Sequence, residues 1–297
     1  MRSDHDRITD NKYKKVAIEK GFLKKISFII IMIESIISPG SAERKPWTMI
    51  GVGFLFTIIA ALITFVIETL SVCHGAGYLL VSFITIAAAP LFVRVFCIEE
   101  HKKKGNIFER HWPIIEVYAY FFLGVIIASS FFFVLYGDRG STCLFTDQLG
   151  ALNNIGVINE QNLPVCGLEG STITGLSVVH KSWESFFANN VSLLLLLFIF
   201  SFVLGAGSVW LISWNASVIG VLIGYNLDPL ILIKILPHGI FEFGGYFLGA
   251  VAGGILSAAI IQERIKTEYA RVLKDSLIYL GLAVTMIFIG AIIESVL

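Results

Sequence analysis

A histidine and a glutamate four residues apart stand inside a long apolar run, at Leu236-Pro237-His238-Gly239-Ile240-Phe241-Glu242. On a helix that spacing turns both side chains to one face. An imidazole and a carboxylate so placed can hold a proton, a cation or a polar solute. They can equally bind each other, or nearby backbone, and fix the packing. The polar residues available to join them are Asn189, Asn190, Asn215, Asn226 and Asp228. Gly245, Gly249 and Gly253 continue the same face, a stripe of small residues along which another helix backbone can approach closely. Gly220 and Gly224 form a second such surface, which could receive the first. A single His-x-x-x-Glu with no further His or Cys at zinc spacing is a weak metal signal. There is no recognisable nucleophile with its base, and no phosphate-binding loop. No catalytic residue, metal or cofactor is therefore expected.

The elements that must position these residues are membrane helices. Hydrophobic residues make up 56% of the 297, charged residues 15%, and the mean hydropathy is +0.81. Soluble domains carry about 25% charged residues. Here apolar blocks are long enough to cross roughly 30 Å of hydrocarbon at ~1.5 Å per residue. Spans are expected at Met49–Leu70, Tyr78–Ile98, Ile114–Tyr136, Val191–Ser213, Pro237–Ile261 and Ser276–Val296, with Pro237 in the first turn of its helix. Between the fourth span and Pro237, Trp214–Leu236 is apolar but interrupted by Tyr225-Asn226-Leu227-Asp228-Pro229. It reads as a broken span or a re-entrant pair of half-helices. The fold class is thus all-α: a polytopic membrane protein of six to seven spans, one broken or re-entrant. Four regions follow: a tail with an interfacial helix (1–47), three spans (48–136), an extracytoplasmic loop (137–190) and a C-terminal membrane core (191–297).

Residues 1–25 hold eight Lys or Arg against four Asp or Glu, without the pattern of a cleavable signal peptide. Phe22, Ile26, Ile29, Ile30, Ile33 and Ile37 share one face of a short amphipathic helix, which either lies in the interface or packs on the spans. Lys and Arg gather in the tail, in Glu99–Trp112 and in Gln262–Asp275. The rule that basic loops stay inside puts the amino terminus in the cytoplasm. All three basic segments share that side only if Trp214–Leu236 crosses completely, which makes seven spans. Glu68, Arg94 and Glu294 lie near span ends, within reach of interfacial water. Cys143 and Cys166 in the outer loop could form a disulfide, worth roughly 3 kcal/mol on the chain-entropy model, with Cys73 a competitor. The alternative is two thiols in a loop.

Three pieces occur in order: Phe187-Ala188-Asn189-Asn190 before a span with Gly205 and Gly207 at its end, Asn215 followed by Gly220, and Pro237-His238-Gly239 with Glu242. On these residues the chain resembles the stage II sporulation protein M family of multi-pass membrane proteins, mainly over residues 185–262. It departs at Asn215-Ala216, where typical members have Asn-Gly. In endospore formers the resemblance implies a role in engulfment, as a membrane partner of peptidoglycan-degrading enzymes. The family extends well beyond spore formers, and it implies no catalytic residues. Three functions remain open: a non-enzymatic scaffold or assembly component in the cell membrane, a transporter or channel with a polar site at His238 and Glu242, or an intramembrane hydrolase. The expected partners are the lipid bilayer and membrane or envelope proteins, and a homo-oligomer is allowed. A net charge of zero points away from nucleic acid.

Overall fold

The structure, a computed structural model, describes residues 39–70, 75–99, 106–154, 182–227, 229–261 and 265–296. Every regular element among them is helical: α1 (Pro39–Arg44), α2 (Thr48–Leu70), α3 (Ala76–Glu99), α4 (Ile107–Leu144), α5 (Thr146–Asn154), α6 (Trp183–Leu204), α7 (Ser208–Asn226), α8 (Pro229–Ile261) and α9 (Ile265–Val296). Seven of them, α2, α3, α4 and α6 to α9, are long and apolar enough to cross a membrane. The amphipathic stretch Phe22–Ile37 lies outside the described residues.

Two helix boundaries differ from the sequence expectation. The span expected to reach Ser213 ends at Leu204, because Gly205 adopts φ +70°, a conformation strained for any residue with a Cβ. The chain restarts as α7, so Trp214 begins no half-helix. Tyr225-Asn226-Leu227 is the carboxyl end of a continuous α7, closed by Leu227 at φ +48° with its N–H bonded to the Ile223 carbonyl at 3.0 Å. Pro229 takes the first position of α8, where its missing N–H removes no bond. Pro237 is therefore inside α8 rather than in its first turn, and its ring deletes the amide bond to the Ile233 carbonyl.

The helices meet through small residues. Gly53 of α2 lies against the Phe121 carbonyl of α4, and Gly124 of α4 against the Ile50 carbonyl. Gly220 and Gly224 of α7 face α4 as well: a Cβ at Gly220 would stand 2.6 Å from the Ile126 carbonyl oxygen. These two glycines receive α4, not the stripe of α8. The α4–α7 pair runs in one direction, since Tyr118 bonds Ser208 (2.8 Å) at one end and Phe133 meets Tyr225 at the other. Tyr118 is fully buried, with its ring also against Phe92, Phe96 and Phe247. It thereby joins α3, α4, α7 and α8.

One ion pair decides the topology. The guanidinium Nη2 of Arg110, at the start of α4, lies 2.7 Å from Oδ2 of Asp275 on α9, both side chains only 10% exposed. His111 Nε2 is 3.9 Å from the same carboxylate, and the Tyr279 hydroxyl donates to the Ile107 carbonyl at 2.9 Å. The starts of α4 and of the apolar part of α9 therefore share one end of the bundle. Four long helices, α4, α6, α7 and α8, lie between them. An even number of passages returns the chain to the same side. A re-entrant α7 would leave three and separate Arg110 from Asp275 by the membrane thickness.

At the opposite end, α5 folds back against α3 and α7. Asp147 Oδ2 accepts the Gly77 N–H at 2.9 Å, capping α3 from a residue 70 positions away. Gln148, fully buried, donates to Ser217 Oγ at 3.1 Å. Burial raises the Asp147 carboxyl above the ordinary aspartate range, and the Gly77 and Tyr78 amides pull it partway back.

Two outcomes are expected. Asn106→Cys and Ala270→Cys should react with a membrane-impermeant maleimide from the same side of sealed vesicles, and Leu227→Cys from the other. Asp147→Ala should destabilise by about 1 kcal/mol, the usual worth of a helix cap. With a raised folded pKa, the part of the stability linked to Asp147's titration is complete below the unfolded aspartate range and lost as pH rises through the folded value, while the cap bond itself remains. Asp147→Asn should remove that part of the pH dependence of thermal unfolding.

Candidate functional site

The three helices α6, α8 and α9 enclose the residues singled out by spacing. On α8, His238, Glu242 and Tyr246 follow one another at four-residue intervals, so they line one face. The stripe of Gly245, Gly249 and Gly253 lies among them and is filled. A Cβ on Gly245 would stand 2.8 Å from Ile287 of α9. Gly249 lies against Leu194 of α6, and Gly253 against the Phe198 carbonyl of the same helix. Ser201 on α6 donates to the Ala250 carbonyl at 2.7 Å, and Ser276 on α9 to the Ala252 carbonyl at 2.9 Å. Such hydroxyl-to-carbonyl bonds form only where backbones come close.

This closeness brings a polar knot together. Asn190 Nδ2 of α6 donates to Glu242 Oε1 at 2.6 Å, and the Tyr246 hydroxyl donates to Asn190 Oδ1 at 2.7 Å. Asn190, Glu242 and Tyr246 are all buried. Asn189 reaches Asn190 Oδ1 only at 3.5 Å. From α9, Glu294 hydrogen-bonds Glu242. Gly290, one turn before Glu294, makes the room: a Cβ there would stand 2.9 Å from Glu242 Cγ.

His238 does not join the knot. It is half-buried, its Nδ1 has no hydrogen-bond partner among the described residues, and no bond links it to Glu242. Asn215 and Asn226 turn back on their own helix, donating to the Leu211 carbonyl (2.8 Å) and the Leu222 carbonyl (3.0 Å). Asp228 lies outside the described residues. Of the expected polar residues, the structure thus gathers Asn190 and Glu242, with Asn189 at the edge.

Three members of the knot were not singled out from the sequence. Tyr246 carried a signal, standing one turn beyond Glu242 on the same face. Gly290 and Glu294 share the same four-residue spacing, but Glu294 reads as an interfacial charge because it lies so near the end of its span. The Arg110–Asp275 pair carried no local signal, its members being 165 positions apart. Among the described residues no group of three or more His, Cys, Asp and Glu comes together around a metal position.

This is a multi-pass helical membrane protein whose carboxyl-terminal helices are tied by a buried carboxyl–amide–phenol network. The model of the family described as Stage II sporulation protein M matches residues 151–297, so this part of the chain is similar to that family. It contains α6 to α9, and with them the whole knot. The chain is also similar to an uncharacterized protein of Methanocaldococcus jannaschii, with 28% identity over 153 residues, covering 48% of this chain and 81% of the relative. No solved structure matches.

Asn190→Leu removes the donor to Glu242 and the acceptor of Tyr246 at once. It should destabilise the detergent-solubilised protein by about 1–3 kcal/mol, the penalty for orphaned buried polar groups, read as a drop in the thermal midpoint. Asn190→Asp, which keeps an acceptor for Tyr246 but adds a third carboxyl, should not restore it.

Proposed function

We propose that this chain is a non-enzymatic scaffold, an assembly component of a membrane or envelope complex. The observation that carries the reading is the occupied face of α8: the glycine stripe is filled by α6 and α9, and Glu242 is engaged by Asn190 and Glu294. A transport site needs polar groups turned toward a solute path. Here they are turned toward one another, which builds a rigid platform from α6, α8 and α9. The cell membrane is the proposed location, with the amino terminus in the cytoplasm. The basic residues of the tail and of the two loops brought together by Arg110–Asp275 support that orientation. The outer loop is the proposed partner-facing surface. Cys143 is disulfide-bonded, and Cys166, outside the described residues, is the proposed other half. A role in engulfment comes from the family name alone and is not carried by any residue described above.

A second reading, transport, draws on His238, whose buried Nδ1 lies at the end of α8 that holds the knot. Proteoliposomes separate the two. The scaffold reading expects proton and alkali-cation fluxes equal to those of protein-free vesicles, and Glu242→Gln to express and retain its in-cell cross-linked partners. A wild-type flux that Glu242→Gln abolishes would replace the scaffold by a transporter.

A further inference from the structure

The helices sort into two groups by what lies between them. In the first, α2 to α5 and α7, backbones meet directly. Gly53 and Gly124 set the α2–α4 distance, and Gly220 and Gly224 the α4–α7 distance. Trp210 of α7 donates to Ser82 of α3 at 3.2 Å, and Gln148 of α5 to Ser217 of α7. In the second group, α6, α8 and α9 are joined by the glycine stripe and by the Ser201 and Ser276 hydroxyls. Between the groups the packing is sparser among the described residues, and much of it is made by rings. Phe122 lies against Phe243 and Phe247 with centroids 4.7 and 5.5 Å apart, and the Phe96 ring lies against Gly254. A backbone wedged on a glycine has a single seat. Rings packed on rings can slide, as helices do in shear motions.

The short connections between the groups fall at the two ends of α7. Gly205 to Gly207 join it to α6 at one end, and the chain leaves it after Leu227 for α8 at the other. The remaining connection, residues 155–181, is long enough to follow a rotation about the line between those ends. The Tyr118 hydroxyl of α4 also reaches Ser201, one turn before Gly205, where such a rotation displaces atoms least. The polar contacts of α9 with α4 lie away from both ends: Arg110 and His111 on Asp275, and Tyr279 on the Ile107 carbonyl. We infer that α6, α8 and α9 form one rigid unit hung on α7 that turns about the α7 axis, and that the Arg110–Asp275 pair is the latch holding its far helix to α4. The pair sits at the end of the bundle, so parted charges meet interfacial water instead of hydrocarbon. The motion does not depend on what the unit carries, so it stands apart from the scaffold reading.

The test is double electron–electron resonance on the full-length protein in nanodiscs, with spin labels on non-canonical residues so that the native cysteines stay untouched. Labels at exposed Ile59 of α2 and Leu277 of α9 read the distance between the groups, and labels at exposed Leu196 of α6 and Leu277 the distance within the second. Asp275→Asn should shift or broaden the first distance by about 5 Å, the size of a one-turn helix displacement, and leave the second as in wild type. An unchanged first distance overturns the proposal. So does equal broadening of both, which is melting and not rotation. Should Asp275→Asn not fold, Arg110→Gln/Asp275→Asn, which strands no charge, is read in its place with the same expectations. Loss of folding in that variant too overturns the latch, because a latch opens without undoing the two groups.

Discussion

The close approach of α6 and α8 is the constraint on which the C-terminal half depends. Lipid chains are as apolar as leucine, so no hydrophobic force drives membrane helices together. Association relies on van der Waals contact and interhelical hydrogen bonds. At Gly253 the α6 backbone comes so near that any side chain would overlap the Phe198 carbonyl. This brings the Ser201 hydroxyl within reach of the Ala250 carbonyl and Asn190 within reach of Glu242. Widening the gap by one methyl group would lengthen all these bonds together. The small residues and the polar knot are therefore one device, with the glycines setting the distance at which the hydrogen bonds can form.

The third helix of the device, α9, is held at both ends. Near its carboxyl end Glu294 meets Glu242 over Gly290, and near its amino end Asp275 meets Arg110. A carboxylate in hydrocarbon is costly unless paired or protonated. Asp275 and Glu294 are each placed where a partner from another helix meets them. The Arg110 contact also joins the family-matched half to α4, which lies outside residues 151–297. The amino-terminal helices add their own glycine crossing at Gly53 and Gly124. They enclose the α7 face, which is buried along most of its length.

Hydropathy alone placed the apolar blocks, because the bilayer thickness sets a length that single helices must meet. It misplaced the ends at Ser213 and Pro237. A run of apolar residues does not show where the backbone leaves the helix, and that was decided at Gly205 and Pro229. The composition of Tyr225–Pro229 spoke for a break, correctly. Its place, at the end of a span rather than the middle, depended on where α7 began.

For the site, the sequence determined what a single helix determines. His238, Glu242 and the glycines share a face because the helical repeat puts them there, and a carboxylate so deep must find a partner. Which partner was a tertiary matter. Asn190, Asn215 and Asn226 were equal candidates by type and depth. Only Asn190 lies on the helix that the glycine stripe admits, while Asn215 and Asn226 bond their own backbone. Glu294 and the Arg110–Asp275 pair join residues far apart in the chain, and no periodicity reports such contacts. They exist because α9 packs along α8 and reaches α4, a geometry fixed by the packing of the helices together.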